Sequence, residues 1–205
     1  MDTNSFLVGM KLETIGGVKY AELSGDQVRG RFKETLSEIT SASQPNPLET
    51  FLNCGSDPIA IVQFTQSFGP LKQEPKPGSE FLFYLQEFMD AQQLLRGMWR
   101  DKSHYEKPID LLKEHGGSYR FQKGSITYAA PTLFVQLIAD LIVRPVERLR
   151  VCQQRGCSHP YFFAKHRNRQ YCSDECAEQS QRDFNKEWWQ TQGADWRRNQ
   201  RKKVP

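Results

Sequence analysis

The sequence predicts an α+β chain: a mostly helical N-terminal domain with short hairpins, then a small cysteine-rich module. Three observations carry this. Two segments, 80–100 and 134–142, place apolar residues at helical spacing. Two others, 10–21 and 119–128, show short apolar runs around glycine-containing turns. Four of the five cysteines lie between positions 152 and 176. The expected division is an N-terminal α+β domain at 1–145, a cysteine module at 146–190 and a basic tail at 191–205.

In chain order, Met10–Glu13 and Val18–Ala21 flank Gly16-Gly17 and predict a hairpin. Ser24-Gly25-Asp26-Gln27 fits a capping box, followed by a helix with Val28, Phe32, Leu36 and Ile39 on one face. Residues 41–58, with Pro45, Pro47, Gly55 and Pro58, read as loop. Asp57-Pro58 starts a helix that Gly69-Pro70 stops, although Ile59–Phe64 also suits a strand. Residues 70–79 read as a linker.

Ser79 is the expected cap of the clearest helix, which carries Phe81, Tyr84, Leu85, Phe88, Gln92, Leu95 and Trp99. A hairpin is expected around Lys123-Gly124. A second strong helix carries Phe134, Leu137, Ile138, Leu141 and Ile142, and Pro145 breaks it. His104 and His115 flank a polar loop and lack metal spacing.

Cys152, Cys157, Cys172 and Cys176 are spaced C-x4-C, fourteen residues, C-x3-C. Two close thiolate pairs across a short spacer can close one tetrahedral site, so one structural zinc ion is the expected cofactor. A redox pair is the rival, but no C-x-x-C is present. Four thiolates leave no open position for a catalytic water. His159 or His166 is a less favoured substitute ligand. Aromatic stretches on either side of the basic turn 165–170 predict a β-hairpin, and Ser173-Asp174 begins a helix bearing Cys176. Knuckle, hairpin and helix make a treble-clef-like finger, in which the metal replaces a core that about 30 residues cannot build. Cys54 stands apart, and a semi-buried thiol is its simplest reading.

Charge divides the chain. Residues 144–205 hold fourteen Lys/Arg against seven Asp/Glu, and the remainder fourteen against seventeen. Three of the four tryptophans, Trp188, Trp189 and Trp196, lie in the basic part. Cations displace counterions from phosphates and aromatics stack on bases. The candidate nucleic-acid contacts are Arg155, Lys165, Arg167, Arg169, Arg182, Lys186, Arg197, Arg198, Arg201, Lys202 and Lys203. The plainer reading docks Phe184 and Trp188, with Trp189 as a further candidate, onto the finger or the N-terminal domain and leaves a solvated basic face.

Arg148–Cys152, Cys157, Phe162-Phe163 and Arg169–Cys176 resemble the CGNR zinc-finger family of bacterial proteins. Phe68–Leu71 and the 134–150 segment resemble the domain that precedes the finger in that family. The resemblance implies an N-terminal α/β domain, a zinc finger and a role as a stress-induced transcription regulator. The family's tetrad begins at Cys176 but continues Ala177-Glu178-Gln179 in place of Gly-Asn-Arg, so the ligand position is kept and the Asn and Arg are not.

No apolar run reaches the roughly 18 residues that span a bilayer, and the first residues lack a signal-peptide pattern, so a cytoplasmic protein without a membrane partner is expected. No phosphate-binding loop, nucleophile elbow or H-E-x-x-H motif is present, and no catalytic residue is nominated. The leading expectation is a zinc-stabilised DNA-binding transcription regulator. Its N-terminal domain would take a small-molecule or protein effector, or form a homodimer. A protein-interaction adaptor is the second reading and an enzyme with an N-terminal pocket the third.

Overall fold

The computed structural model describes residues 11–13, 15–38, 46–101, 106–122 and 125–201. Met10, Ile39, His104, Lys123-Gly124, Lys202 and Lys203 lie outside the described residues. The architecture is α+β. The chain divides after Leu149 into two compact units, against the expected boundary at 145.

In the first unit, β1 (Lys11–Glu13) and β2 (Ile15–Ser24) do not form the expected hairpin. β1 joins a sheet ordered β1-β6-β5, with β5 at Ser118–Gln122 and β6 at Ser125–Ala129. It runs parallel to β6, with Lys11 opposite Thr127. The antiparallel β5–β6 pairing is the one expected from the sequence. Gly16-Gly17 is not a turn; the register of β2 is irregular there, as at a bulge.

The turn lies instead at Gly25, whose φ of 64° suits glycine. It joins β2 to β3 (Gln27–Glu38), where a helix was expected. Val28, Gly30 and Phe32 are buried in alternation, which is strand periodicity. β4 (Glu80–Tyr84) completes the sheet order β2-β3-β4. The clearest predicted helix therefore begins later: Ser79 precedes a strand, and α3 spans Leu85–Arg100 with Tyr84 at its cap.

The expected loop at 41–58 contains a helix, α1 (Pro47–Asn53), where Asn46 Oδ1 accepts from the Glu49 amide at 3.0 Å. α2 (Pro58–Phe68) starts at Asp57 and stops at Gly69, as the sequence predicts. The polar stretch before His115 is also helical, α4 (Glu106–His115). α5 (Leu133–Val143), capped by Thr132, is the most deeply buried helix: every residue from Leu133 to Ile142 is buried.

Phe51, Phe64 and Phe88 bring α1, α2 and α3 together, with ring centroids 4.9–5.4 Å apart. Polar side chains of α3 complete the join. Gln92 donates to the carbonyls of Phe51 and Cys54 at 2.7 and 2.9 Å. Arg96 donates to those of Leu52 and Cys54 at 2.9 and 3.1 Å. The last carbonyls of a helix have no intrahelical partner, and here α3 supplies one.

The second unit begins at Arg150. β8 (Tyr161–Phe163) pairs with β7 (Leu149–Val151), not with the segment after the basic turn, so the expected hairpin across 165–170 is absent. Pro160, just ahead of β8, accepts from the Cys152 amide at 2.7 Å. α6 (Asp174–Thr191) follows, then α7 (Gly193–Arg201) lies within the expected basic tail.

Candidate metal centre

Each cysteine is delivered by a different local device. Cys152 follows β7, and its amide bond to Pro160 fixes it at the end of the two-stranded sheet. Gly156, at φ 75°, permits the reversal that returns the chain to Cys157. Gln153 N donates to Gln170 O at 3.1 Å and so draws the approach to the second pair against the first. Cys172 N points at Cys152 Sγ, 3.5 Å away. Ser173 caps α6 by accepting from the Cys176 amide at 3.3 Å, which orients the first turn bearing the fourth thiol.

The four sulfurs all lie within 4.8 Å of one another. Cys157 and Cys172 are 3.5 Å apart, Cys172 and Cys176 3.5 Å, and Cys176 and Cys157 3.8 Å. These separations are far beyond a disulfide bond of about 2.05 Å, and all five cysteines are free. The cluster could hold one metal ion. His159 and His166 are exposed and stand outside it.

Crowding separates the thiols electrostatically. Burial, and then the hydrogen-bonded sulfurs of Cys176 and Cys157, hold the Cys172 thiol well above its ordinary range. Burial also raises Cys157. Hydrogen bonds from Cys172 and Ser173 lower Cys176. A cation among the sulfurs would override the rise at Cys172 and Cys157 and deepen the fall at Cys176, because a coordinating thiol is deprotonated outright. Around the cluster, Phe162 and Ala164 are buried with Cys152, and Tyr171 packs against them. The Tyr171 hydroxyl lies 3.0 Å from Ser180 Oγ and ties the knuckle to α6.

The basic residues nominated from the sequence fall in different settings. Arg155, between Cys152 and Cys157, and Lys165 and Arg167, after β8, are exposed. Arg169 is half-buried, with its guanidinium turned onto the carbonyls of Tyr171 and Cys172. On α6, Arg182 pairs with Glu178 at 3.7 Å and Lys186 is exposed. On α7, Arg198 pairs with Asp195 at 3.6 Å and Arg197 is exposed. Arg201 ends α7.

Phe184 and Trp188 do not form a buried docking face. α6 has no buried residue, and Phe184 is 61 % exposed. The tryptophans gather instead at the α6–α7 corner. Trp189 meets Trp188 and Trp196 edge to face at 4.9 and 5.5 Å and covers the buried Gly193. Cys54 lies in the first unit, and burial, with Asp57 adding to it, pushes its thiol up to about 11. Sequence reasoning placed Gln92 on the helix face and Arg150 before Cys152 but missed their hydrogen bonds and those of Arg96; Arg150 donates to Arg167 O at 2.6 Å. Nothing in a sequence distinguishes a side chain that binds a distant carbonyl from one that faces water.

Comparison with family models, curated proteins and solved structures finds no match. Among the described residues, no helix is long and apolar enough to cross a membrane.

Proposed function

We propose that the second unit is a zinc-stabilised nucleic-acid-binding module, and that the chain is a DNA-binding transcription regulator of the kind its resemblance to the CGNR family implies. The metal is assigned from donor chemistry. Four sulfur donors in a closed set suit zinc, and bonds of about 2.3 Å in a tetrahedron require sulfur–sulfur separations of about 3.8 Å. The separations among Cys157, Cys172 and Cys176, 3.5, 3.5 and 3.8 Å, lie close to that value. A knuckle at 152–157, a small sheet and a helix carrying the last ligand support a treble-clef description.

The observation that carries the nucleic-acid reading is where the charge sits. Residues 150–173 hold five Lys/Arg and no Asp/Glu, and residues 196–205 repeat that composition. α6 between them holds five acidic and two basic residues. Its eighteen residues make a rod about 27 Å long. Along the chain, the unit is therefore basic on either side of an acidic helix. Exposed Arg155, Lys165 and Arg167 would engage phosphates, and Arg197, Arg198, Arg201, Lys202 and Lys203 would supply a second set of contacts. The N-terminal unit would take the effector or a second copy of the chain.

A salt series of binding to duplex DNA, single-stranded DNA and RNA tests this. Affinity should fall steeply with salt, and replacing the five basic residues at 197–203 by Ala should flatten the slope by roughly one unit for each phosphate no longer neutralised. A zinc-loaded chain that binds no nucleic acid at low salt would overturn the reading. The adaptor reading draws on Phe184, Trp189 and Trp196, which are 61, 47 and 45 % exposed, and on the acidity of α6. It expects a protein partner that is retained at high salt.

A further inference from the structure

We infer that Arg169 is a positioning residue of the metal site rather than a phosphate contact: its guanidinium holds the backbone around Cys172 in the arrangement the ion requires. The inference rests on the zinc reading of the four cysteines and not on the nucleic-acid reading.

Three contacts carry it. Arg169 Nε donates to Tyr171 O at 2.9 Å, and a terminal nitrogen donates to Cys172 O at 3.1 Å. A terminal nitrogen also lies 3.6 Å from Asp174 Oδ1 in the first turn of α6. These partners bracket Cys172: the residue before it, its own carbonyl and the second residue after it. Two consecutive carbonyls oriented toward one point repel each other unless a donor pair sits between them. A planar guanidinium presents such a pair in a fixed fork, which a lysine ammonium cannot. The side chain is only 28 % exposed, whereas Asp174 is 95 % exposed. The carbonyl bonds therefore carry the argument, and the exposed ion pair adds little.

Chemistry points the same way. Four thiolates around a divalent cation leave two net negative charges, and a guanidinium beside them offsets part of that charge. Partners that orient metal ligands without touching the metal typically change affinity by about 10- to 100-fold. Arg167, two residues earlier, supplies the contrast. Its side chain is exposed, and it enters the knuckle through its backbone carbonyl, which accepts from Arg150. A side-chain substitution there leaves that bond in place.

The test is competition for zinc between the full-length chain and a chromophoric chelator at fixed pH, with cobalt(II) absorption as a second readout. Arg169→Ala should weaken zinc retention about tenfold or more and shift the cobalt ligand-field bands, while helical content at saturating zinc stays at the wild-type level. Arg169→Lys should also retain zinc less well, because charge without the fork does not hold both carbonyls. Arg167→Ala should match wild type in zinc retention and in the cobalt bands, whatever it does to nucleic-acid binding. Wild-type zinc retention in Arg169→Ala, or full recovery in Arg169→Lys, would overturn the inference. If Arg169→Ala does not fold even at saturating zinc, the Arg169→Lys titration decides. A wild-type chain that retains no zinc would remove the metal reading and this inference with it, and the wild-type titration shows that separately.

Discussion

Two helices, one from each unit, are stabilised by opposite means. α5 in the first unit has buried residues at every position from Leu133 to Ile142 and is surrounded by its domain. α6 in the second is longer, at eighteen residues, and buries none. One is held by apolar packing along its length. The other is anchored at one end, where Ser173 caps it and Cys176 joins the sulfur cluster. The first unit has a core large enough to specify its fold. The second has a few buried groups around Cys152, Phe162 and Ala164, and the sulfurs stand where a core would be.

The contrast breaks most sharply at the metal. Chelation, or Cys172→Ser, should unfold the second unit and leave most of the helical signal of the first. Zinc in the proposed site would contribute on the order of 10 kcal/mol to folding, more than the whole stability of many domains. Circular dichroism with metal analysis checks it. A second unit that keeps its fold with no metal bound would erase the contrast between the two helices.

The converse experiment is Phe88→Ala. Phe88 is 1 % exposed and packs against Phe51 and Phe64. Its truncation should cost about 3–5 kcal/mol in the first unit, while one zinc per chain is still retained. Thermal denaturation followed alongside metal content separates the two effects. If metal is lost together with the first unit, the units are not independent.

A smaller effect concerns pH. Burial raises the Asp140 carboxyl to about 6, against the opposing influence of Arg144. Because the folded-state value lies above the ordinary value of about 3.9, the folded state binds the extra proton. Stability should therefore fall as pH rises from about 4 through 6, and the penalty is fully present above that range. Asp140→Asn should stabilise the first unit at pH 8 by about 2–3 kcal/mol and change little near pH 4. Denaturant titrations of both chains at the two pH values measure this. Metal affinity should not follow the same substitution.

Legibility in the sequence differed between the units for physical reasons. The cysteine spacing led directly to a cluster, because each close pair is held by a short stretch of chain. α5 and the β5–β6 hairpin were equally plain, from apolar spacing and a turn signal; α2 had clear start and stop signals, although Ile59–Phe64 also suited a strand. The β2–β3–β4 sheet was not. Val28 and Phe32 are four apart, a spacing that fits one face of a helix and also one face of a strand; the buried Gly30 between them breaks the tie, but only once its partners are seen. Ser24-Gly25-Asp26-Gln27 has the letters of a capping box, yet it turns a hairpin because strands on both sides can pair. Asn46-Pro47 carried the same start signal as Asp57-Pro58, and neighbouring prolines obscured it. At Arg169 the sequence shows a charge and not its destination. The fork turns inward because two carbonyls wait there.

Gln92 and Arg96 both donate to the carbonyl oxygen of Cys54. What α3 recognises at that position is main chain, and the thiol is incidental to the recognition. Serine offers the same carbonyl and nearly the same volume, so Cys54→Ser leaves the anchorage of α1 intact. Every remaining sulfhydryl then belongs to the cluster. In such a chain, colorimetric counting of reactive sulfhydryls becomes a stoichiometric gauge of cluster occupancy: none titrated when closed, four when opened.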